Sequence, residues 1–208
     1  MCVFHFFIKI GMLGKSQFPL IQGPTPETSR FYGVGQVRTT LSPVPGQTYK
    51  SVGDQAKVKV NDICNGDLNA MLAIVSAFEL AVLLGNIEHG ENLFITLDVP
   101  GKQTPKLGGC SEGLAVTMAV LGYKVPEDVM MTGFVDVFGD RVVTLEDMMN
   151  LPVKYVEGIP AKIQGAVQQN MTLIIPRERT SNIKLGPKVV RVNTLGEVIR
   201  FLFPNGNH

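Results

Sequence analysis

The chain has 208 residues with 19 basic and 18 acidic side chains, and 45% of its residues are hydrophobic. This composition is typical of one well-buried domain and excludes an intrinsically disordered chain. A formal net charge of +1, without a run of like charges, argues against a nucleic-acid surface or a polybasic membrane anchor. Cys2, Cys64 and Cys110 lack C-x-x-C spacing, so we expect no disulfide framework, no metal site and a reducing, cytoplasmic compartment.

The N-terminal residues 1–30 are predicted to form an arm followed by a linker. The apolar start carries Lys9 and is too short to span a membrane. Residues 17–30 contain three prolines and show no periodicity, which is typical of a loop. Residues 31–208 are therefore expected to form the folded domain.

Within this domain the patterns predict an α+β fold with small mixed sheets and packed helices. Strands are expected in the 31–41, 47–60, 92–99, 171–176 and 188–193 stretches, and as two strands around a turn at 128–143. Helices are expected over 70–84, from Ser111 to Gly122, over 159–170 and over 194–203, with a short helix and a strand inside 144–157. Asn65 or Asp67 is expected to cap the first helix, and Gly85-Asn86 to end it.

Residues 109–113, Gly-Cys-Ser-Glu-Gly, satisfy the G-x-S-x-G pattern of serine hydrolases around Ser111. A nucleophilic elbow of that class needs a strand that ends at the serine, whereas here the predicted strand ends near Val99. It also needs a histidine downstream, and only the terminal His208 qualifies. An α/β-hydrolase elbow is therefore disfavoured.

Two other interpretations of the same loop remain open at this point. Gly108-Gly109 before a helix start is compatible with a phosphate-binding loop of a small-molecule kinase, although no Walker pattern is present. The loop is also compatible with a purely structural role. Ser111 would then be the N-cap of the helix and Glu112 a favourable acidic residue in its first turn.

A lysine offers a third interpretation, because a neutral lysine amine can activate a serine as a general base. Lys162 lies on the apolar face of the predicted 159–170 helix, in its first turn. Burial and the helix dipole both lower a lysine pKa toward the ~7–8 that suits catalysis. The alternative is a side chain that extends its amine to water. Lys106 and Lys154 are weaker candidates for the base.

Five sequence stretches, taken in order along residues 31–203, resemble the proteolytic domain of Lon proteases and, more distantly, the Lon-like polyprotein-processing proteases of birnaviruses. The matching stretches are "GDLNAMLAIVSAFELAVLL", "LFITLDVPGKQTPKLGGCSEGLAV", "DVMMTGFVDVFGDRV", "GIPAKIQGAVQQNMTLIIP" and "VVRVNTLGEVIRFLF". The resemblance implies a Lon-type fold and a serine–lysine dyad.

Carried over residue by residue, the resemblance implies that Ser111 is the nucleophile and Lys162 the general base. Thr132 of "MTG" matches a hydroxyl that helps to orient the lysine. Gly109 and Cys110, with Gly108, would form the oxyanion and substrate loop. The chain departs from the family at Glu112, where a small residue is common. Lys162 also follows Ser111 by 51 positions, a wider spacing than the family has.

The expected function is an ATP-independent serine endopeptidase that cuts exposed or extended protein segments, with polyprotein or self processing as one use. No ATPase motif accompanies the domain, so either an ATP-driven unfoldase is missing or the protease is a stand-alone one; the Met1 start and the unusual N-terminal segment favour the second. No cofactor or metal is expected, and the partner is a protein or polyprotein substrate, in the host cytoplasm if the protein is viral. The rivals are a catalytically silent Lon-like peptide-binding domain and the small-molecule kinase. The oligomeric state is left open.

Overall fold

The computed structural model describes residues 12–23, 25, 27–41, 47–50, 57–60, 67–87, 92–99, 109–135, 137, 144–186 and 188–205. These residues form ten strands and five helices, so the expected α+β class is confirmed. None of the helices in these ranges is long and apolar enough to cross a membrane.

The larger sheet has five strands in the order β1-β2-β5-β4-β3. Three pairs of neighbours are antiparallel (β1 with β2, β2 with β5, and β3 with β4), while β4 and β5 are parallel. Its strands are β1 (Met12–Gln22), β2 (Arg30–Thr40), β3 (Gln47–Lys50), β4 (Lys57–Val60) and β5 (Asn92–Asp98). The strand predictions for 31–41, 47–60 and 92–99 are thus confirmed over these ranges.

The prediction of a loop over 17–30 is wrong for its first six residues, which complete β1. Phe18 is buried in the core, and Pro19 lies opposite Val34 of β2. Because β1 lies at the edge of the sheet, only one side of its backbone forms hydrogen bonds along a neighbouring strand. An edge strand therefore tolerates proline, which has no backbone N–H to donate. The expected N-terminal arm therefore contributes a core strand, while residues 1–11 lie outside the described ranges.

A second, three-stranded sheet is entirely parallel, in the order β10-β9-β6. It consists of β6 (Val129–Met131), β9 (Thr172–Pro176) and β10 (Val189–Val192). A two-stranded antiparallel ribbon joins β7 (Phe134–Val135) to β8 (Val153–Lys154). The strands predicted at 171–176 and 188–193 and the strand in 144–157 are confirmed.

The two strands found within the predicted 128–143 pair, β6 and β7, belong to different sheets rather than to one hairpin. Thr132 and Gly133 separate them, and Gly133 has a φ of +151°. A Cβ at Gly133 would lie 2.7 Å from Val153 Cγ1, so only glycine fits this approach of β6–β7 to β8. The part of the prediction that falls on 138–143 lies outside the described residues.

The helices are α1 (Leu68–Leu83), α2 (Gly113–Val120), α3 (Leu145–Asn150), α4 (Ile159–Gln168) and α5 (Leu195–Leu202). Asp67 caps α1, as predicted, because its Oδ1 accepts hydrogen bonds from the amides of Asn69 and Ala70 at 3.0 and 2.9 Å. Pro160 lies in the first turn of α4, where proline is tolerated. All the predicted helices are present, although α2 begins two residues after Ser111.

Two clusters of apolar side chains fill the interior. The larger cluster joins α1, α2 and α5 to the five-stranded sheet, and the smaller one lies between α4 and the three-stranded sheet. All eight residues of α2 are buried. This helix is therefore enclosed on every side. Its one hydroxyl is satisfied locally, because Thr117 Oγ1 donates to the carbonyl of Gly113 at 2.8 Å.

Candidate active site

Ser111 lies in a turn that enters α2, and the turn is tied to the N-terminus of α1. Gly109 adopts a left-handed conformation with φ +81°, which glycine permits without strain. Its amide donates to Asp67 Oδ1 at 3.2 Å, so one carboxylate both caps α1 and holds the start of the turn. The amide of Gly113 donates to the carbonyl of Cys110 at 3.1 Å and closes the turn around Ser111.

The Ser111 backbone is fixed from its other side by the segment between β6 and β7. The Ser111 carbonyl accepts a hydrogen bond from the Gly133 amide at 3.2 Å and one from Thr132 Oγ1 at 3.0 Å. The Gly133 carbonyl in turn accepts from the Leu114 amide at 2.8 Å. The position of the serine therefore depends on residues that lie about twenty positions further along the chain.

Lys162 enters the same region from the first turn of α4. Its side chain is only 1% exposed, so the prediction of a buried lysine is confirmed and the alternative of an amine extended into water is wrong. The Nζ atom donates to Thr132 Oγ1 at 3.1 Å and to the carbonyl of Glu157 at 2.8 Å. Thr132 thus links the lysine amine to the serine backbone through one hydroxyl.

Burial lowers the pKa of Lys162 to about 8, because water no longer solvates the ammonium. The negative charges of Glu112, Cys110 and Glu157 oppose this effect, since each favours the charged lysine. With a pKa near 8, a substantial fraction of the amine is neutral at slightly alkaline pH. Lys162 can therefore accept a proton under conditions in which an ordinary lysine cannot.

The structural interpretation of Ser111 as a helix cap is not supported. The N-cap of α2 is Glu112, whose side chain makes no capping hydrogen bond. The Ser111 hydroxyl makes no hydrogen bond to any described residue, Lys162 included. The Ser111 hydroxyl therefore does not stabilise the fold through a hydrogen bond to a described residue.

The amides of Cys110 and Ser111 make no hydrogen bond to any other described residue, although the Cys110 amide favours the thiolate of its own side chain. Two adjacent free amides at the serine can bind a negative oxygen. Gly109, the other residue predicted for the oxyanion loop, cannot donate in the same way, because its amide is bonded to Asp67. Gly109 shapes the turn, while Cys110 and Ser111 provide the free donors.

Glu112 is a functional candidate for which the sequence predicted only a first-turn acidic residue and a departure from the family. It is 2% exposed, and its Oε1 has no hydrogen-bond partner. Burial raises its pKa to about 7; the backbone amide of Glu112 itself and then Lys162 oppose this effect, and Asp67 adds a smaller upward one. A carboxylate directly before a wholly apolar helix was the sequence signal that could have identified it.

The other candidates from the sequence are placed less favourably or lie outside the described ranges. Lys154 is half-buried at the end of β8, whereas Lys106 and the three histidines are not among the described residues. Cys110 is a free, half-buried thiol, and burial raises its pKa, which disfavours a reactive thiolate. Within the described part of the chain, no group of three or more His, Cys, Asp or Glu could hold a metal ion.

An open groove of about 530 Å³ lies at the C-terminal end of β5, the strand that precedes the Ser111 loop in the chain. Val34, Gln36, Asp98 and Val99 line it, together with side chains from β1, the turn before β6 and the start of β9. Val34 packs against the smaller core cluster, as Cys110 does. The groove and the serine turn thus each contribute a residue that packs on this cluster, but no described residue of the turn lines the groove.

The chain matches no protein-family model and no curated protein sequence. The resemblance to the Lon proteolytic domain therefore stays a prediction that rests on short sequence stretches in the expected order.

Proposed function

We propose that the protein is a serine endopeptidase that works without ATP, with Ser111 as the nucleophile and Lys162 as the general base. The hydrogen bonds of Lys162 Nζ carry this proposal. A neutral amine has two N–H groups, and the two acceptors, Thr132 Oγ1 and the Glu157 carbonyl, use both. The nitrogen lone pair then remains free to accept a proton.

The first chemical step follows from this arrangement. Neutral Lys162 takes the hydroxyl proton of Ser111, and the Ser111 oxygen forms a bond to the carbonyl carbon of the scissile peptide. The electron pair of the C=O bond moves onto its oxygen, which the free amides of Cys110 and Ser111 stabilise. The lysine ammonium then returns the proton to the leaving amine, and the C–N bond breaks.

Water completes the cycle by hydrolysing the acyl-enzyme. Lys162 removes a proton from this water, the new oxygen attacks the ester carbonyl, and Ser111 leaves with the proton that the lysine held. Thr132 keeps Lys162 and the Ser111 backbone in register through both halves of the reaction. The bond between the Ser111 hydroxyl and Lys162 forms only when substrate is bound, as is common for catalytic hydrogen bonds.

The fold class proposed for this activity is the Lon type, and the substrates are extended or exposed protein segments, including parts of a polyprotein or of the protein's own precursor. The open groove lined by Val34 and Val99 offers room for an extended segment. Backbone hydrogen bonds and pockets for alternate side chains would hold such a segment.

Two rival functions are less well supported. Phosphate binding at the Ser111 loop is disfavoured, because Asp67 already occupies the Gly109 amide and the buried Glu112 carboxyl lies in the same turn. A silent peptide-binding domain would have no use for a buried lysine, since burying an ammonium destabilises the fold. The lysine with a lowered pKa therefore favours an enzyme.

Mass-spectrometric cleavage profiling of a mixed peptide library without ATP tests the proposal. Ser111→Ala and Lys162→Met should each lower the cleavage rate at least about 100-fold. Cys110→Ser and Lys188→Met are the matched controls and should cleave like the wild type. Cleavage lost in Cys110→Ser but kept in Ser111→Ala would reassign the nucleophile. Absence of cleavage in the wild type would favour the silent peptide-binding domain.

A further inference from the structure

Glu112 is a buried carboxyl group that the proposed reaction does not use. It follows the nucleophile directly, is almost fully buried and has an Oε1 atom without a hydrogen-bond partner. Leaving a buried polar atom unpaired destabilises a fold by about 1–3 kcal/mol. Such a group therefore calls for a functional explanation.

The Glu112 carboxylate is stabilised by its own backbone amide and by Lys162, but burial disfavours its charge more strongly. A Cβ at the next residue, Gly113, would lie 3.2 Å from Ala73 of α1 and 3.3 Å from both the Gly133 carbonyl and Phe134 of β7, so the turn is tightly enclosed. The charged or titratable groups that act on Glu112 and on its neighbours are Asp67 at the start of α1, Lys162 of α4, Cys110 of the same turn and Glu157 before α4.

Lys162 is the one cation among these groups, and Glu112 is the largest of the charges that favour its protonated form. No hydrogen bond or ion pair joins the two side chains in the described structure. Lys162 Nζ donates to Thr132 Oγ1, which donates to the Ser111 carbonyl in the peptide unit that precedes Glu112, so a single hydroxyl separates the lysine from the backbone of the glutamate. Both side chains lie in a buried region, where water screens their charges little. In such a region the interaction between two charges is much stronger than at the surface.

We propose that Glu112 is a positioning residue that acts through Lys162: when ionised it holds Lys162 as an ammonium, and when neutral it lets the amine act as a base. This proposal deepens the proposed function and rests on it for its catalytic meaning. The electrostatic part concerns two buried side chains and can be measured without any cleavage.

Substrate binding gives this coupling a direct use. A peptide that covers the turn excludes more water and disfavours both buried charges. The pair then changes from carboxylate and ammonium to carboxylic acid and amine: one proton leaves Lys162 and one binds Glu112, so the proton count does not change. The lysine becomes a base when the substrate is in place.

The first measurement is the pH titration of the Lys162 Cε resonance in protein labelled with ¹³C-lysine. The resonance is assigned by its disappearance in Lys162→Met. The wild type should show a main midpoint near pH 8 and a smaller inflection near pH 7, at which Glu112 ionises. In Glu112→Gln the inflection should vanish, and the main midpoint should move about one pH unit lower.

Glu79→Gln is the matched control, because Glu79 is also a buried glutamate but is not among the charges that act on Lys162. It should leave the Lys162 titration unchanged. If Glu112→Gln does not fold, Asp67→Asn probes the same coupling from outside the turn. Asparagine keeps an oxygen to cap α1 but loses the charge that raises the pKa of Glu112. The inflection should then move to lower pH.

The second measurement is the pH profile of kcat and KM in the cleavage assay. In Glu112→Gln the acid limb of kcat should move lower by the same amount as the Lys162 midpoint, with KM nearly unchanged. A Lys162 midpoint that does not move in Glu112→Gln overturns the inference. A midpoint that moves in a protein without cleavage supports the coupling and overturns the proposed function instead.

Discussion

Thr132→Val removes the hydroxyl that links Lys162 to the Ser111 backbone and keeps the shape of the side chain. Thr132 is fully buried, accepts from Lys162 Nζ at 3.1 Å and donates to the Ser111 carbonyl at 3.0 Å. After the substitution the lysine keeps only the Glu157 carbonyl as an acceptor, and the Ser111 carbonyl keeps only the Gly133 amide.

The expected loss of stability follows from these two bonds. A hydrogen bond from a charged donor contributes about 1.5–3 kcal/mol and a neutral one about 0.5–1.5 kcal/mol. The additional buried methyl group of valine offsets about 1 kcal/mol. At pH 6.5, where Lys162 is charged, the free energy of unfolding should therefore fall by about 2–3 kcal/mol. At pH 9 the amine is largely neutral, and the loss should shrink toward about 1 kcal/mol.

Urea unfolding at pH 6.5 and pH 9 measures both values. Thr117→Val is the matched control, since Thr117 is a buried threonine of α2 that makes one neutral hydrogen bond to the Gly113 carbonyl. With the same offset for the valine methyl group, it should lose at most about 0.5 kcal/mol at either pH. Thr132→Ser keeps the hydroxyl and should restore most of the stability and of the proposed cleavage.

The reasoning is refuted if Thr132→Val and Thr117→Val lose the same stability at both pH values. That result would mean that Lys162 gains nothing from the Thr132 hydroxyl in its charged form. A loss in Thr132→Val that does not depend on pH would place the effect on the Ser111 carbonyl bond alone.

Two further predictions concern Asp67 and Glu112. Asp67→Ala removes the cap of α1 and the acceptor of the Gly109 amide. Denaturant unfolding should show that the free energy of unfolding falls by about 1–2 kcal/mol, and the cleavage rate should fall strongly. The control, Thr194→Ala, removes the cap of α5 instead, so it should lose similar stability and keep its cleavage rate. Equal cleavage rates in the two variants would contradict the role of Asp67 in holding the Ser111 turn. The pKa of Glu112 is raised from its ordinary 4.5 to about 7, so the stability that Glu112 contributes is complete below pH 4.5 and is lost as the pH rises through 7. Between pH 5 and pH 8 the wild type should therefore lose about 2 kcal/mol relative to Glu112→Gln, and parallel stability curves of the two proteins would show that the carboxyl does not titrate in this way.

Local patterns in the sequence were enough to predict those features that depend on a single element. The apolar face of 159–170 placed Lys162 inside the molecule, and the structure buries it. Asp67 was recognised as one of two possible caps because a carboxylate at that position satisfies free amides of the first turn. Most strands and all the helices followed in the same way, since periodicity and caps act between residues that are close in sequence.

The tertiary structure alone decided how distant segments meet. The three prolines of residues 17–30 led to the prediction of a loop, whereas the second half of β1 is stabilised by pairing with β2 and by the burial of Phe18. Nothing in the sequence showed that the Gly109 amide donates to Asp67. The resemblance implied that Thr132 orients Lys162, but not that the same hydroxyl donates to the Ser111 carbonyl. These contacts depend on which elements pack together.

The burial of Glu112 is another feature that only the tertiary structure decided. A glutamate at the start of a helix is ordinarily solvated, and its first-turn position predicts a surface residue. Here α2 is enclosed on every side, so the turn that enters it is enclosed as well. The local sequence determined the chemistry that each side chain offers. Packing determined how much hydration each side chain loses on burial, and this loss sets the direction of the pKa shifts of Glu112 and Lys162.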